Sequence, residues 1–348
     1  MASRYWVGGT ANWDGTAGTK WALTSGGAGG QAVPTSSDNV FFDANSGVGT
    51  CTIATVTANC LNLDCTGFTG TLSDDNVADI NIYGSLKLVT GMTYLPPNNV
   101  NFVGTGSQTI DGAGKSFGSL NVNGSGLTLT AQSDLTGTSN LNIAQGTFTV
   151  GAHNIHFRTY QFLGTSTRTL NMGSGTWTID ATIAFQNWDA GGSNGTLNCQ
   201  TSTMLVNGTG TNARTFNGGG YTYNIVTFSA DNYTITGSNT FATLNVNTAG
   251  LATGLIFTNG TTQTVTTFAT NGSAGNLAKM LSNSAGLAFT LSKSSGLVSV
   301  DYMSIKDSTA TGGASWYAGA NSTNVSGNTG WNFFAPPTIY GAFLYNML

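Results

Sequence analysis

Charge is what this chain most lacks. Of 348 residues, 7% are charged, against roughly 25% in an ordinary soluble protein. Glutamate is absent, so all fourteen acidic residues are aspartate. Ten Lys and Arg are spread without a basic patch and the net charge is −4. Nucleic-acid binding is therefore not expected, since it needs clustered cations to neutralise phosphate. No apolar run approaches the roughly 18–20 residues of a membrane-spanning helix. The opening Met1-Ala-Ser-Arg4-Tyr5-Trp6 lacks the basic-then-apolar order of a secretory signal. If the chain works outside its producing cell, export by lysis, by assembly into a particle or by another route is expected. Cysteine and histidine are also few. Cys51, Cys60, Cys65 and Cys199 show no C-x-x-C spacing, and only His153 and His156 could join them. Zinc is disfavoured. The cysteines read as buried thiols acting as small hydrophobes, with a disulfide among the first three as the other reading. No cofactor is expected.

What is present points to strands. Glycine accounts for 49 residues, Thr, Asn and Ser are plentiful, and 39% of residues are hydrophobic. The hydrophobic residues fall in short alternating runs such as Ile80-Asn-Ile82, Leu127-Thr-Leu129 and Trp177-Thr-Ile179, the period of a strand with one buried face. Internal repeats set the architecture. Gln108-Thr109-Ile110, Arg168-Thr169-Leu170, Arg214-Thr215-Phe216 and Gln263-Thr264-Val265 each follow a glycine and small polar residues, 60, 46 and 49 residues apart. Phe117-Gly-Ser-Leu120-Asn-Val-Asn123 repeats as Phe241-Ala-Thr-Leu244-Asn-Val-Asn247. Leu120 and Leu141 lie 21 residues apart, as do Leu127 and Phe148; Leu141 and Leu170 lie 29 apart, as do Phe148 and Trp177. These intervals predict an all-β solenoid, a single-stranded right-handed parallel β-helix of about a dozen coils and roughly 60 Å. Tandem β-sandwich domains are the other architecture considered.

Three segments are expected. Residues 1–45 form a Trp-rich cap, residues 46–333 the β-helix body with a closing cap from about 312, and residues 334–348 an apolar tail. Trp6, Trp13, Trp21, Trp316, Tyr317 and Trp331 are read as capping the solenoid ends, or as contacts for a glycan. After Pro336-Pro337 the chain is uncharged and apolar. Ile339, Tyr340, Phe343, Leu344, Tyr345, Met347 and Leu348 are read as docking residues for symmetry mates or a partner, in preference to packing on the chain's own solenoid, by strand addition with aromatic anchors.

The closing stretch Trp316-Tyr-Ala-Gly319…Asn321-Ser322…Asn328-Thr-Gly-Trp331-Asn-Phe333, with the opening Trp6-Val-Gly-Gly9…Asn12-Trp13…Pro34…Asp38-Asn-Val-Phe-Phe-Asp43, resembles the two ends of parallel β-helix proteins of phage virions and bacterial surfaces. The resemblance implies a fibre, spike or decoration protein. It implies capsid or tail proteins as partners, trimerisation, and a virion, extracellular or bacterial-surface location. It carries no catalytic motif.

Asp74, Asp75 and Asp79 could hold calcium but lack the spacing of known calcium loops. A polysaccharide depolymerase, as in tailspikes, would need facing carboxylates, for which Asp74, Asp75, Asp180 and Asp189 are the candidates. No Ser-His-Asp arrangement is legible. Thr-x-Thr pairs could order water on an ice-binding face, but uneven coils are expected to spoil a flat ladder. Interchange of Gln and Arg in the repeat indicates hydrogen bonding along a coil edge, not a need for charge. The expectation is a non-enzymatic virion structural protein that stabilises a particle or adheres to a host-surface glycan, with the depolymerase second and a bacterial adhesin or ice-binding protein third.

Overall fold

Alternating Thr/Asn and Val/Ile/Leu positions fold here into short strands that stack winding upon winding, as a computed structural model describes for residues 2–14, 20–54, 57–74, 78–181, 186–210 and 212–337. The chain is all-β, about 1% helix, and forms a β-solenoid of about 13 turns. Among the described residues the named strands pair in parallel with one exception, Ser3–Trp6 against Trp21–Ala22. That excludes tandem antiparallel sandwiches.

Each winding contributes up to three faces. On the first face Ala58–Cys60 starts a ladder that continues through Asp79–Ile82 and Asn99–Phe102 and ends on Thr323–Ser326. Its inward column reads Ile80, Val100, Leu120, Leu141, Tyr160, Trp188, Phe216, Ile235 and Phe257, each opposite the next. All nine are buried, and each fully buried aliphatic or aromatic of this size stabilises by roughly 1.5–3 kcal/mol. The second face starts with Ser3–Trp6 and Asn39–Phe41 and ends at Gly195–Asn198. The coil ladder thus begins inside the segment expected to be only a cap.

Two of the sequence intervals were misleading. Leu120 does oppose Leu141, but Phe148 opposes Leu129, because Ser119–Ala131 shifts register between Val122 and Thr128. Leu141 opposes Tyr160, Phe148 opposes Leu170, and Trp177 lies between Ile155 and Met204. The shared 29-residue interval is a coincidence of unequal corners.

Those corners absorb the uneven coil lengths, so outward ladders survive, contrary to expectation. Thr109, Thr130, Thr149, Asn171 and Asn198 form one column, and Ser107, Thr128, Thr147, Thr169 and Thr196 the next. On the first face Asn81, Asn101 and Asn121 each donate a side-chain N–H to the asparagine one coil below, at 3.3, 3.0 and 2.8 Å. Tight corners need glycine where windings meet. At Gly173 φ is +78° and an added Cβ would lie 1.6 Å from Gly151 O, so only glycine fits.

The two ends differ. At the N-terminal end Trp6, Trp13 and Trp21 pack edge-on at about 5 Å between ring centres and lie against Phe42. All are at most 1% exposed. At the other end Trp316 and Trp331 stack in a short ladder, Leu297–Ser299, Ser315–Tyr317 and Trp331–Asn332. The last first-face strand, Thr323–Ser326, is exposed at all four positions.

Candidate functional site

The repeated Gln/Arg side chains point inward, not along the coil edge. Gln108, Arg168, Arg214 and Gln263 are 5%, 1%, 1% and 0% exposed. Each serves the carbonyls of a corner that no strand can satisfy. Arg168 donates from Nη1 to Gly164 O, Ser166 O and Ser193 O, and from Nη2 to Phe162 O, at 2.8–3.0 Å. Its guanidinium lies 4.7 Å over the Phe162 ring. Desolvation lowers its pKa, but it has no carboxylate among its hydrogen-bond partners; carbonyl dipoles do the work of a counter-ion. Gln108 performs a smaller version, donating to Tyr83 O and Thr105 O at 2.7 and 3.1 Å. These groups are therefore structural.

The tryptophans proposed for capping or glycan contact are Trp6, Trp13, Trp21, Trp316 and Trp331. All five are enclosed and offer no open ring face to a sugar, which overturns the glycan reading for them. Tyr317 is half-buried and meets exposed Phe334 edge-on at 5.6 Å. The docking positions Ile339, Tyr340, Phe343, Leu344, Tyr345, Met347 and Leu348 lie outside the described residues.

The candidate carboxylates are dispersed. Asp74 ends the strand Thr71–Asp74 and accepts from the N–H groups of Ala78 and Asn98 at 3.3 and 3.0 Å. Asp189 is buried on the first face, accepting from Gly191 N–H and Asn217 Nδ2 at 3.1 and 2.9 Å. Asp180 is at the surface, 2.8 Å from His156 Nε2. Asp79 accepts from Asn99 Nδ2 at 2.8 Å, and Asp75 lies outside the described residues. Donors already occupy Asp74 and Asp79, and no group of three or more His, Cys or Asp side chains suited to a metal occurs among the described residues. Sequence reasoning missed the pairing of both histidines with aspartates one coil away: His156 with Asp180, and His153 Nδ1 3.7 Å from Asp134 Oδ1. The separations of 24 and 19 residues match a coil, the one signal that could have revealed them.

The four cysteines are free and buried. Burial pushes every thiol up, Cys199 to about 12, so none is a ready nucleophile.

Aspartates that cap turns carry a pH dependence. Backbone and side-chain N–H groups of Asn154 hold Asp134 below the usual carboxylate range. For Asp301 burial pushes upward, but bonds from Asn321 and from Tyr302 N–H outweigh it and the pKa is lowered. A depressed folded pKa stabilises fully above the unfolded value of about 3.9 and is lost as pH falls through the folded value. Thermal melts should show no pH dependence from these carboxylates between about pH 5 and 8, where their stabilisation is fully present, and a falling Tm below about pH 4. Asp301→Asn should start lower and fall less steeply in acid. An equal acid slope in that variant would contradict the assignment.

Comparison with known protein families, curated proteins and solved structures gives no match.

Proposed function

We propose that this chain is a non-enzymatic structural protein of a phage particle: a stiff decoration, fibre or spike that stabilises the particle or adheres to a host surface. The observation that supports this reading is the first-face ladder that continues without interruption from Ala58–Cys60 to Thr323–Ser326, in a solenoid with tryptophan clusters near both ends. A rod of about 13 turns with neighbouring strands about 4.8 Å apart is roughly 60 Å long. Its outer faces carry Thr, Ser and Asn in register and almost no charge, a surface suited to wide hydrogen-bonded contact with a glycan or a neighbouring subunit. Attachment through residues 334–348 belongs to the same reading.

The test is co-sedimentation. Antibody to the recombinant chain should detect it in density-banded, nuclease-resistant particles from the source material. Recovery only from cells or from the particle-free supernatant would refute a virion role. The exposed His156–Asp180 pair favours a second reading, a surface polysaccharide depolymerase. Release of reducing ends from host capsule that is lost in Asp180→Asn would establish it in place of the structural reading.

A further inference from the structure

Three neighbouring windings round the corner between the first and second faces with unequal lengths of chain. Asn123 and Thr128 of one winding stand opposite Gln145 and Thr147 of the next, so four residues, 124–127, turn beside a single one, Gly146. On the other side Asn142 and Gly146 stand opposite Gln161 and Arg168, so three residues, 143–145, turn beside six, 162–167. The middle winding takes the short way in both comparisons. Its corner forms a floor, and the longer corners on either side rise as walls. Gly146 permits the short path: its φ is +88°, and an added Cβ would lie 2.6 Å from Gly124 O. Arg168 braces one wall from beneath, since its Nη1 donates to Gly164 O and Ser166 O.

The groove between these walls has a volume of about 460 Å³. The walls belong to windings two rungs apart, roughly 9.6 Å between backbones at about 4.8 Å per rung. Hydroxyls of Ser125, Thr128, Thr147, Ser166 and Thr169 and the amide of Gln145 line it. All six side chains are at least partly exposed, and none makes a hydrogen bond to another described residue. No carboxylate lines the groove. Its one cation, Arg168, is 1% exposed and turned to backbone carbonyls, and its apolar residue, Leu127, is also buried.

That lining selects a ligand. Hydroxyls and amides both donate and accept, as sugar hydroxyls do. A charged saccharide would give up hydration and find no counter-charge. An extended peptide needs an open strand edge or apolar pockets; here the strands of the three windings pair with one another and no apolar side chain is open. We propose that the groove binds an uncharged polysaccharide, laid along the winding direction between the two raised corners. This rests on the adhesive form of the reading above and gives it a site and a ligand class.

Affinity electrophoresis of the full-length protein tests this, in gels containing starch, mannan, galactan or xylan, with alginate and hyaluronan gels as charged comparisons. At least one neutral polymer should retard the protein, and the charged ones should not. Thr128→Val, Thr147→Val and Thr169→Val together remove three hydroxyls while keeping β-branched residues in the strands. They should weaken retardation about tenfold or more, and Gln145→Ala alone should weaken it about threefold. Thr264→Val, Thr290→Val and Ser292→Ala together, at outward positions of another face, should leave it unchanged. Circular dichroism melts matching wild type will show that the variants are folded. Retardation by none of the neutral polymers, stronger retardation by the charged ones, no loss in the groove variants, or an equal loss in the other-face variant would each overturn the proposal. Such a failure with co-sedimentation intact would leave the virion reading standing.

Discussion

Arg214→Met will lower stability by about 2–4 kcal/mol, among the largest effects of any single change outside the aromatic core. The guanidinium is 1% exposed and donates to Ala181 O and Gly208 O from Nη1, at 2.9 and 2.7 Å. From Nη2 it reaches Gly210 O and Asp231 O, at 3.0 and 2.5 Å. One side chain thus ties together corners of three successive windings. Methionine fills much of the volume and removes the cost of burying a charge, but it abandons these four carbonyls and the more distant Thr209 O, 3.4 Å from Nη1. Each unsatisfied buried group costs about 1–3 kcal/mol, partly offset by relief of the desolvated cation. Arg214→Gln should lose only about half as much, since a buried glutamine serves the carbonyls of other corners at Gln108 and Gln263. Urea midpoints followed by circular dichroism will check the order wild type, Gln, Met. A methionine variant as stable as wild type would show that the carbonyls find other partners.

Trp21→Ala should cost about 3–5 kcal/mol, and its damage should stay local. Trp21 contacts Trp6, Trp13 and Phe42 and opposes Trp6 in the antiparallel pair. A solenoid is held by neighbour-to-neighbour contacts, so loss of the lid frays the nearest windings first. Hydrogen exchange should speed up in Ser3–Trp6, Asn39–Phe41 and Leu63–Asp64 and stay unchanged in Met303–Lys306. Uniform deprotection along the whole chain would mean that the solenoid unfolds as one unit and that the nearest-neighbour picture fails.

The architecture was legible because it depends on features that sequence displays directly: alternation at Ile80-Asn-Ile82, and a repeated Gln/Arg-Thr-apolar corner. That corner was even legible as hydrogen bonding in place of charge, although its burial was not. Register was harder. The chain rounds a corner inside Ser119–Ala131 without leaving extended conformation, so counting by twos carried Leu127 into a position that belongs to Leu129. The end of the second face could not be read either. Gly218-Gly219-Gly220 precedes the next winding there, and a run of glycines says only that a turn occurs. The His–Asp pairs were overlooked for a related reason: partners one winding apart are remote in sequence and show themselves only once the winding length is known.

The unlike ends give synthesis a direction. The tryptophan lid and the first rungs draw on residues up to about Leu63, so a complete seed exists once that much chain has left the ribosome. Every later winding then meets a finished template, and at each stage a single raw rim awaits the next layer. Thr323–Ser326 is where that rim is left when translation has passed the last described coil. A chain begun at the other end would have no such lid to grow from, so circular permutants that bring Trp6, Trp13 and Trp21 out last should refold more slowly and aggregate more than the native order.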